Sequence, residues 1–545
     1  MSSGRKFIVV LGSIMSGLGK GILTASIGRL LKTRGYKVTP IKFDGYMNVD
    51  CGTMNPFRHG EVFVLDDGAE VDMDFGTYER FLNVSLPSRS SITGGKMSRL
   101  ILEKERRGDY LGRDVQVVPH LTDEIKAWIK SVGEETKADI VLIEVGGTVG
   151  DLENGYFIEA MHQLSKEEDV LFIQLTYVPS LSPGEQKTKP TQHANRLIQS
   201  LGIKPHIIIC REQEPLQKEA REKIALFCDV PVENVFDDPL VETVYQLPEI
   251  LEKQKLYDAI AKHFKLRKTK ILEGNWGRMV KRILSKDKKR VTIGIVGKYT
   301  AVKDAYVSVK EAILHAAAAN NVHADIAFIE STDIEKEGTK ILESLDGIIV
   351  PGGFGKRGIE GKILSIRYAR KSGTPFLGLC LGMQLMVVEY ARDACGMEGA
   401  NSEEFDPSTP YPVIAILPEQ LNIIEKGATM RLGSYPCLLK EKTKAWECYG
   451  RRSEISERHR HRYEVNPKFT ELLEQGGLVF SGRSPKNNIV EMAEWKDGFG
   501  IGTQAHPELK SRLESPAPLF VGFIKAAVEK KKQMRGNGKK KGKSS

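Results

Sequence analysis

The segment Thr374–Gln384, TPFLGLCLGMQ, constrains the fold more than any other part of this chain. Pro375-Phe376-Leu377-Gly378 is an apolar run that predicts a strand, and Met383 to Tyr390 predicts a helix. Cys380 sits at the turn between them, flanked by Gly378 and Gly382. A nucleophile on so sharp a strand-to-helix turn needs small neighbours, because the backbone there is crowded and strained. The following helix directs amide N–H groups and its positive end at the sulfur, and both favour thiolate. A lone cysteine in such a turn mostly just packs. What changes the reading is His506-Pro507-Glu508 far downstream, which supplies a base and an orienting carboxylate. A second glycine loop, Pro351-Gly352-Gly353-Phe354-Gly355, follows the apolar strand Gly347–Val350. Its glycines leave backbone N–H groups free to face a developing oxyanion.

PGGFG, GLCLGMQ and HPE, in that order, resemble the class I glutamine amidotransferases over roughly residues 291–528. The resemblance implies that Cys380 attacks the amide carbon of glutamine, that His506 shuttles the proton and that Glu508 holds the imidazole. Ammonia is then released. It also implies glutamine contacts at Gly353, Leu381, Gly382, Met383, Gln384, Glu404 and Arg462. Ala505 departs from the pattern, since relatives often carry an aromatic residue before His-Pro-Glu; the expected effect is on packing more than chemistry.

An ammonia-producing domain implies a consumer, and 545 residues leave room for two or three domains. The hydrophobic content of 41% and charged content of 28% fit an ordinary globular protein. No run of about 18 apolar residues marks a membrane span, and MSSGRKFIVVLGS reads as a first strand rather than a signal peptide. Seven scattered cysteines without a CxxC argue against a disulfide or zinc scaffold and for a cytoplasmic location. Eight of the nine net positive charges lie in Lys530–Lys543, which holds seven Lys, one Arg and no acid. This end reads as a disordered, solvated tail, with nucleic-acid binding the less favoured alternative. A near-neutral body means that a polyanionic ligand must be held by local cations.

Strands and helices alternate in both halves. Phe7–Gly12, Lys37–Lys42, Ile140–Val145, Val170–Thr176 and Pro205–Cys210 predict strands, and Gly19–Arg34 predicts a helix. The expected fold class is therefore α/β, with two domains that each contain a mostly parallel sheet flanked by helices. The expected boundaries are 1–267 for a synthetase domain, 268–290 for a basic linker, 291–530 for the glutaminase and 531–545 for the tail.

Gly12-Ser-Ile-Met-Ser-Gly-Leu-Gly-Lys20-Gly follows the first strand and opens a helix, the arrangement that cradles phosphate on backbone N–H groups. It departs from the usual G-x4-G-K-[ST] pattern, because Gly21 stands where a hydroxyl belongs. A plain glycine turn with a solvated Lys remains open on pattern alone. Carboxylates can take over the hydroxyl's role toward magnesium. Asp72 and Asp74 alternate in EVDMDFG, so an extended segment would present both on one side. Glu144 ends an apolar strand before two glycines, where ligands gather in open α/β sheets. Asp74 and Glu144 are the expected magnesium pair.

Six segments then carry a closer resemblance: GLGKG, KFDGYMNVDCGTMNPFRHGEVFV, DDGAEVDMDFGTYERF, KERRGDYLGRDVQVVPH, EVGGTVGDLE and GEQKTKPTQH. In that order, and with the glutaminase half, they are similar to the CTP synthase family over about residues 5–528. Departures are Leu11, Ser13, Gly45 (often Pro) and Arg58 (often Gln). The resemblance implies amination of UTP to CTP, the final step of de novo CTP synthesis. ATP would phosphorylate the uracil O4, and ammonia from glutamine, or free ammonia, would displace that phosphate. It implies ATP contacts at Gly17, Leu18, Gly19, Lys20, Gly21, Ile22, Lys42, Asp74 and Val241. It places UTP or CTP at Ser16, Lys187, Thr188, Lys189, Pro190, Thr191, Gln192 and Lys223, with Asp151, Leu152 and Glu153 recognising CTP as feedback inhibitor. His59 and Val62 would line an ammonia path. Magnesium with ATP and an activating GTP are the implied cofactors; the lid for GTP corresponds to residues 419–428, just before Thr429-Met430-Arg431-Leu432-Gly433. A homotetramer, with filaments as an added form, is the implied assembly. A ligase of the cobyric-acid-synthase type is the alternative enzyme, against which Glu508 and KTKPTQ argue. A filament-forming nucleotide-binding protein is the alternative outside enzymes, against which the intact Cys380/His506/Glu508 set argues.

Overall fold

The computed structural model of the chain describes residues 4–12, 15–55, 59–182, 184–267, 269–272, 274–298, 303–353, 355–416 and 430–541. Two compact units emerge. The first joins Met1–Cys51 to Asp74–Asn275, and the second joins Gly52–Met73 to the chain from Trp276 onward.

The first unit is built on a seven-stranded sheet in the order Val235–Pro239, Ile207–Glu212, Asp169–Tyr177, Lys6–Gly12, Ile140–Val145, Val38–Asp44, Ser91–Thr93. Every pairing in it is parallel. The central strands Lys6–Gly12 and Ile140–Val145 are buried along their whole length. That is why they read as unbroken apolar runs rather than alternating ones. Ile8, Val10, Leu142 and Ile173 pack on one face with Leu23 and Ile27 of the helix Lys20–Thr33. Phe7, Val9, Val141 and Ile143 pack on the other with Ile125, Ile129 and Phe157.

The second unit carries a nine-stranded sheet in the order His323–Glu330, Arg290–Gly297, Gly347–Val350, Phe376–Leu379, Gly500–Thr503, Val490–Trp495, Leu478–Arg483, Arg431–Leu439, Glu454–His461. The first five strands pair in parallel and the last four antiparallel. Chain reversal at the C-terminal ends of the parallel strands brings Lys298, Pro351, Cys380 and Gln504 to one edge of the sheet, where open α/β sheets hold their ligands.

Three boundaries differ from those expected. Gly52–Met73 lies within the expected synthetase but packs in the second unit. Charge pairing fixes it there: Asp66 accepts from Arg458 at 2.7 Å and from Ser434 at 2.7 Å, and Glu70 accepts from Arg460 at 2.7 Å. The basic linker contains a helix, Trp276–Leu284, which buries Trp276, Met279 and Val280 at i, i+3 and i+4. Arg278 between them and Lys281 just after them hide that spacing in the sequence. The final helix runs Pro518–Lys541, so the tail is helical as far as Lys541 rather than disordered from 531. Two of its lysines are anchored, Lys530 to Thr374 and Lys531 to Asp346 at 2.7 Å.

Candidate functional site

The Cys380 turn forms as its sequence predicts. Strand Phe376–Leu379 ends at Cys380, which adopts φ 51°, ψ −103° before the helix Leu381–Asp393. A non-glycine residue in that region is strained, and the surroundings must hold it there. They do: Cys380 N–H donates to the Thr503 carbonyl at 2.7 Å, and the Cys380 carbonyl accepts from Met383 and Gln384 N–H at 3.1 and 3.2 Å. Gly382 is required by close approach, since a Cβ there would lie 2.0 Å from the Val350 oxygen. Cys380 thus stands at the N-cap of the helix Leu381–Asp393, the end that carries the positive dipole.

Cys380 and His506 line one cavity of about 110 Å³ together with Pro351, Gly352, Gly353, Arg460 and Glu508. His506 Nδ1 and Glu508 Oε1 are 2.8 Å apart. Burial pulls the imidazole down, but Glu508 and the Cys380 sulfur outweigh it and hold His506 well above the usual imidazole range. The sulfur lies 3.8 Å from the Arg460 carbonyl and 3.7 Å from Gln504 Nε2. A Cβ on Gly352 would stand 2.9 Å from His506 Cε1, so the PGG loop can approach the histidine only without a side chain.

Of the expected glutamine contacts, Glu404 Oε1 accepts from Gly355 N–H at 3.0 Å, and Gln384 Nε2 donates to the Tyr463 carbonyl at 2.9 Å. Burial raises the Glu404 carboxyl above its ordinary value, with Lys298 and Arg462 opposing. Met383 is fully buried in the core rather than facing the cavity. Ala505 is also buried, its N–H donating to Thr503 Oγ1 at 3.2 Å. Val62 lines the cavity beside Glu61, whereas His59 is exposed and does not. Glu61 is held by Ser308, whose N–H and Oγ both donate to it. The expected lid, 419–428, lies outside the described residues.

In the first unit the glycine loop ends at Gly19, whose φ of 93° is left-handed, and Lys20 opens the helix. The Lys20 side chain folds back over Gly12, where a Cβ would meet Nζ at 2.7 Å, and donates to the Gly147 carbonyl at 2.7 Å. Burial lowers Lys20 from its ordinary value, against Glu144. The departure at Gly21 now has a physical reason. A Cβ there would lie 2.5 Å from Asp74 Oδ1, so the carboxylate occupies the space a Ser or Thr would need. Asp74 begins the helix Asp74–Leu82 and does not share an extended segment with Asp72, since the strand before it spans only Glu70–Val71. Lys42 binds Asp74 Oδ2 at 2.7 Å and lies 3.4 Å from Asp44 Oδ1.

Glu144, one residue before the end of its strand, stands in register with Lys42 and Val10, fully buried, and accepts from the Tyr78 hydroxyl. Burial, then the charge of Asp74, pushes its carboxyl up to about 7. A buried carboxylate repelled by the part-exposed carboxylate of Asp74 is a fit for a divalent cation, and phosphate oxygens and water would complete its coordination. Among the described residues no cluster of three or more His, Cys, Asp or Glu forms a cage for a metal by itself. Asp44 and Tyr78 are members of this constellation that sequence reading did not single out, although Asp44 lies in the quoted KFDG segment.

The expected pyrimidine residues are more dispersed. Asp151 closes a turn, accepting from Thr148 N–H at 2.6 Å and Thr148 Oγ1 at 2.7 Å. Leu152 is 90% exposed and Glu153 is exposed beside it. Thr188 caps the helix Lys189–Ser200, with Pro190 in its first turn, and accepts from Gln192 Nε2 at 3.0 Å. Thr191 bonds Thr176 at 3.1 Å. Lys187 pairs with Glu185, and Lys189 lies over the Phe227 ring at 5.5 Å. Lys223 is exposed on the helix Lys218–Cys228. Ser16 and Gly17 are exposed on the phosphate loop, Leu18 is buried beneath it, Ile22 is half-buried, and Val241 is half-buried just after the strand Val235–Pro239. Gly45, where Pro is common, faces Asn154 and Glu153, and a Cβ there would meet Asn154 Oδ1 at 2.4 Å.

Known proteins match both parts of the chain. The family model described as CTP synthase N-terminus matches residues 6–266, and that described as Glutamine amidotransferase class-I matches residues 301–526. The chain is 52% identical over 534 residues to a CTP synthase of Pyrococcus abyssi (strain GE5 / Orsay), covering 97% of this chain and 99% of that one. It is 50% identical over 538 residues to a CTP synthase of Methanocaldococcus jannaschii, covering 96% and 99%. A solved structure of the Trypanosoma brucei CTPS glutaminase domain with bound acivicin is similar at 36% identity and a TM-score of 0.42, over 44% of this chain and 94% of that one. With matches of this identity over nearly the whole length, the chain belongs to the CTP synthase family, the glutamine-hydrolysing ligases that convert UTP to CTP.

Proposed function

We propose that the two sites divide the reaction as follows. Cys380 attacks the carboxamide carbon of glutamine, His506 returns the proton to the leaving nitrogen, and Glu508 orients and charges the imidazole. The observation that carries this is the left-handed Cys380 turn facing His506 in one cavity, with His506 Nδ1 2.8 Å from Glu508. Backbone N–H groups of the Gly352-Gly353 stretch and of Leu381 take the oxyanion. Glu404 and Arg462 hold the α-amino and α-carboxylate ends of glutamine, respectively, by charge.

In the first unit, residues 16–22 wrap the ATP phosphates, and Lys20 and Lys42 neutralise charge on the transferring phosphoryl group as it passes to O4 of UTP. Asp74 and Glu144 would hold magnesium, which would supply positive charge to the phosphoryl group in transfer. Ammonia then displaces the phosphate. Lys187, Lys189, Gln192 and Lys223 hold the pyrimidine triphosphate, and 151–153 recognise CTP. Val62, at the wall of the Cys380 cavity, is the better-supported member of the ammonia path. GTP activates the glutaminase, and the enzyme works as a homotetramer. The cytoplasm is its place of action; among the described residues, no helix is long and apolar enough to cross a membrane.

The test is CTP formation by Cys380→Ala with glutamine or ammonium as nitrogen source. Loss with glutamine and retention with ammonium is expected. Loss with both, in a folded variant, contradicts the division into two sites.

A further inference from the structure

A buried lysine stands behind the Pro351–Gly353 loop, and the scheme above gives it no role. Lys362 lies on the helix Ile359–Ser372 and is 0% exposed. Its Nζ donates to the Pro351 carbonyl at 3.3 Å, the one hydrogen bond Nζ makes among the described residues. An ammonium buried with so few partners is costly, and such groups persist where something else needs them. Burial, then the charge of Lys298, pulls Lys362 down to about 7, against the Cys380 sulfur and Glu330. Lys298 is itself buried and donates to the Gly355 carbonyl; Glu404, Arg357, Glu335 and Glu330 are its charged neighbours. The loop is thus gripped at both ends by buried lysines.

Geometry says what the grip does. The Pro351–Gly352 peptide is trans, so its C=O and N–H point in opposite directions. Turning the carbonyl to Lys362 turns the Gly352 N–H away from it. Gly352 lines the Cys380 cavity, and Lys362 does not. A Cβ on Gly352 would lie 3.6 Å from Cys380 Cβ, while one on Gly353 would lie 3.9 Å from Lys362 Nζ. One short stretch of backbone therefore separates the ammonium from the reacting sulfur.

We propose that Lys362 is a positioning residue of the glutaminase. It holds the Pro351–Gly352 peptide with its N–H turned toward the Cys380 side. From behind that peptide its protonated form also supplies a positive charge that answers the negative charge gathering on the glutamine oxygen. As the sulfur–carbon bond forms, the carbonyl π pair moves to that oxygen, and no proton leaves Lys362. This rests on Cys380 being the nucleophile.

The test is Lys362→Met, which keeps length and volume but removes charge and donor. Replacing a buried charge by an apolar side chain of similar volume is neutral or stabilising, so the melting temperature holds or rises. Glutamine hydrolysis is expected to lose about tenfold in kcat, less than a direct oxyanion donor would cost, with KM nearly unchanged. Iodoacetamide is expected to alkylate Cys380 more slowly at pH 7, the difference closing at alkaline pH, a readout that a space-filling role would not move. Lys362→Gln, which keeps a donor for Pro351 without charge, should recover only part of the loss. Ammonia-dependent CTP synthesis should be unchanged. Unaltered kcat and alkylation in Lys362→Met overturn the proposal, as does a parallel fall in the ammonia-dependent rate. Cys380→Ala in the same hydrolysis assay keeps the two readings apart: hydrolysis surviving there removes the nucleophile assignment, whereas wild-type behaviour of Lys362→Met removes only the role of Lys362.

Discussion

Gly21→Ala adds one methyl group where the phosphate loop enters its helix. The new carbon would lie 2.5 Å from Asp74 Oδ1 and 2.7 Å from Asp74 Cγ, whereas real Cβ contacts essentially never fall under 3.0 Å. The carboxylate must retreat by at least about half an ångström, and its 2.7 Å bond to Lys42 moves with it. A misplacement of about 1 Å in a reacting constellation costs about a hundredfold, so a loss of about ten- to a hundredfold in CTP formation is expected. Stability should behave differently. Ala favours a helix over Gly by up to about 1 kcal/mol, which offsets the local strain of about 1 kcal/mol or more. The melting temperature should therefore stay within a few degrees of its starting value. The assay is CTP formation with glutamine and, separately, with ammonium, alongside glutamine hydrolysis. Both synthetic rates should fall together while hydrolysis is spared, because Cys380 is untouched. Ammonia-dependent turnover near that of the unsubstituted enzyme would refute the idea that Asp74 must occupy the space above Gly21.

Glu144 gives a pH dependence with a definite sign. Its folded carboxyl is raised to about 7, so the folded state binds more protons than the unfolded one between about 4.3 and 7, and its contribution to stability is lost as pH rises through that window. Magnesium with ATP should therefore raise the melting temperature more at pH 8 than at pH 6; equal shifts, read by differential scanning fluorimetry, would remove Glu144 from the cation site. GTP is expected to raise glutamine-dependent turnover about fivefold or more with little change in the ammonia-dependent rate, and a flat glutamine-dependent titration would show that this glutaminase is not under GTP control.

Much of the fold was legible because its core strands are buried on both faces. Ile140–Val145 and Gly347–Val350 form where expected, and the others shift at their ends, as Phe7–Gly12 does in extending to Lys6. Strand Pro205–Cys210 lies instead at Ile207–Glu212, whose last residue, the charged Glu212, is buried. Cys380, His506 and Glu508 were legible because a strained turn restricts its neighbours to a few residue types. What stayed hidden depended on contacts distant in sequence. Nothing in Asp66 or Glu70 announces partners at Arg458 and Arg460, nearly four hundred residues away. The linker helix was masked by Arg278 between its buried positions and by the cations that follow them. Lys362, a common residue on a helix, carries no local mark of its burial.

The central claim is that the amide nitrogen of glutamine is freed at Cys380 and ends on the pyrimidine. Incubation with UTP, ATP, magnesium and amide-15N glutamine, followed by mass spectrometry of the nucleotide, tests it most directly. CTP carrying one 15N at the 4-amino position is predicted, together with none from glutamine in Cys380→Ala and unimpaired labelling of that variant's CTP from 15N-ammonium. Labelled CTP from glutamine in Cys380→Ala, or unlabelled CTP from the unsubstituted enzyme, would contradict the account.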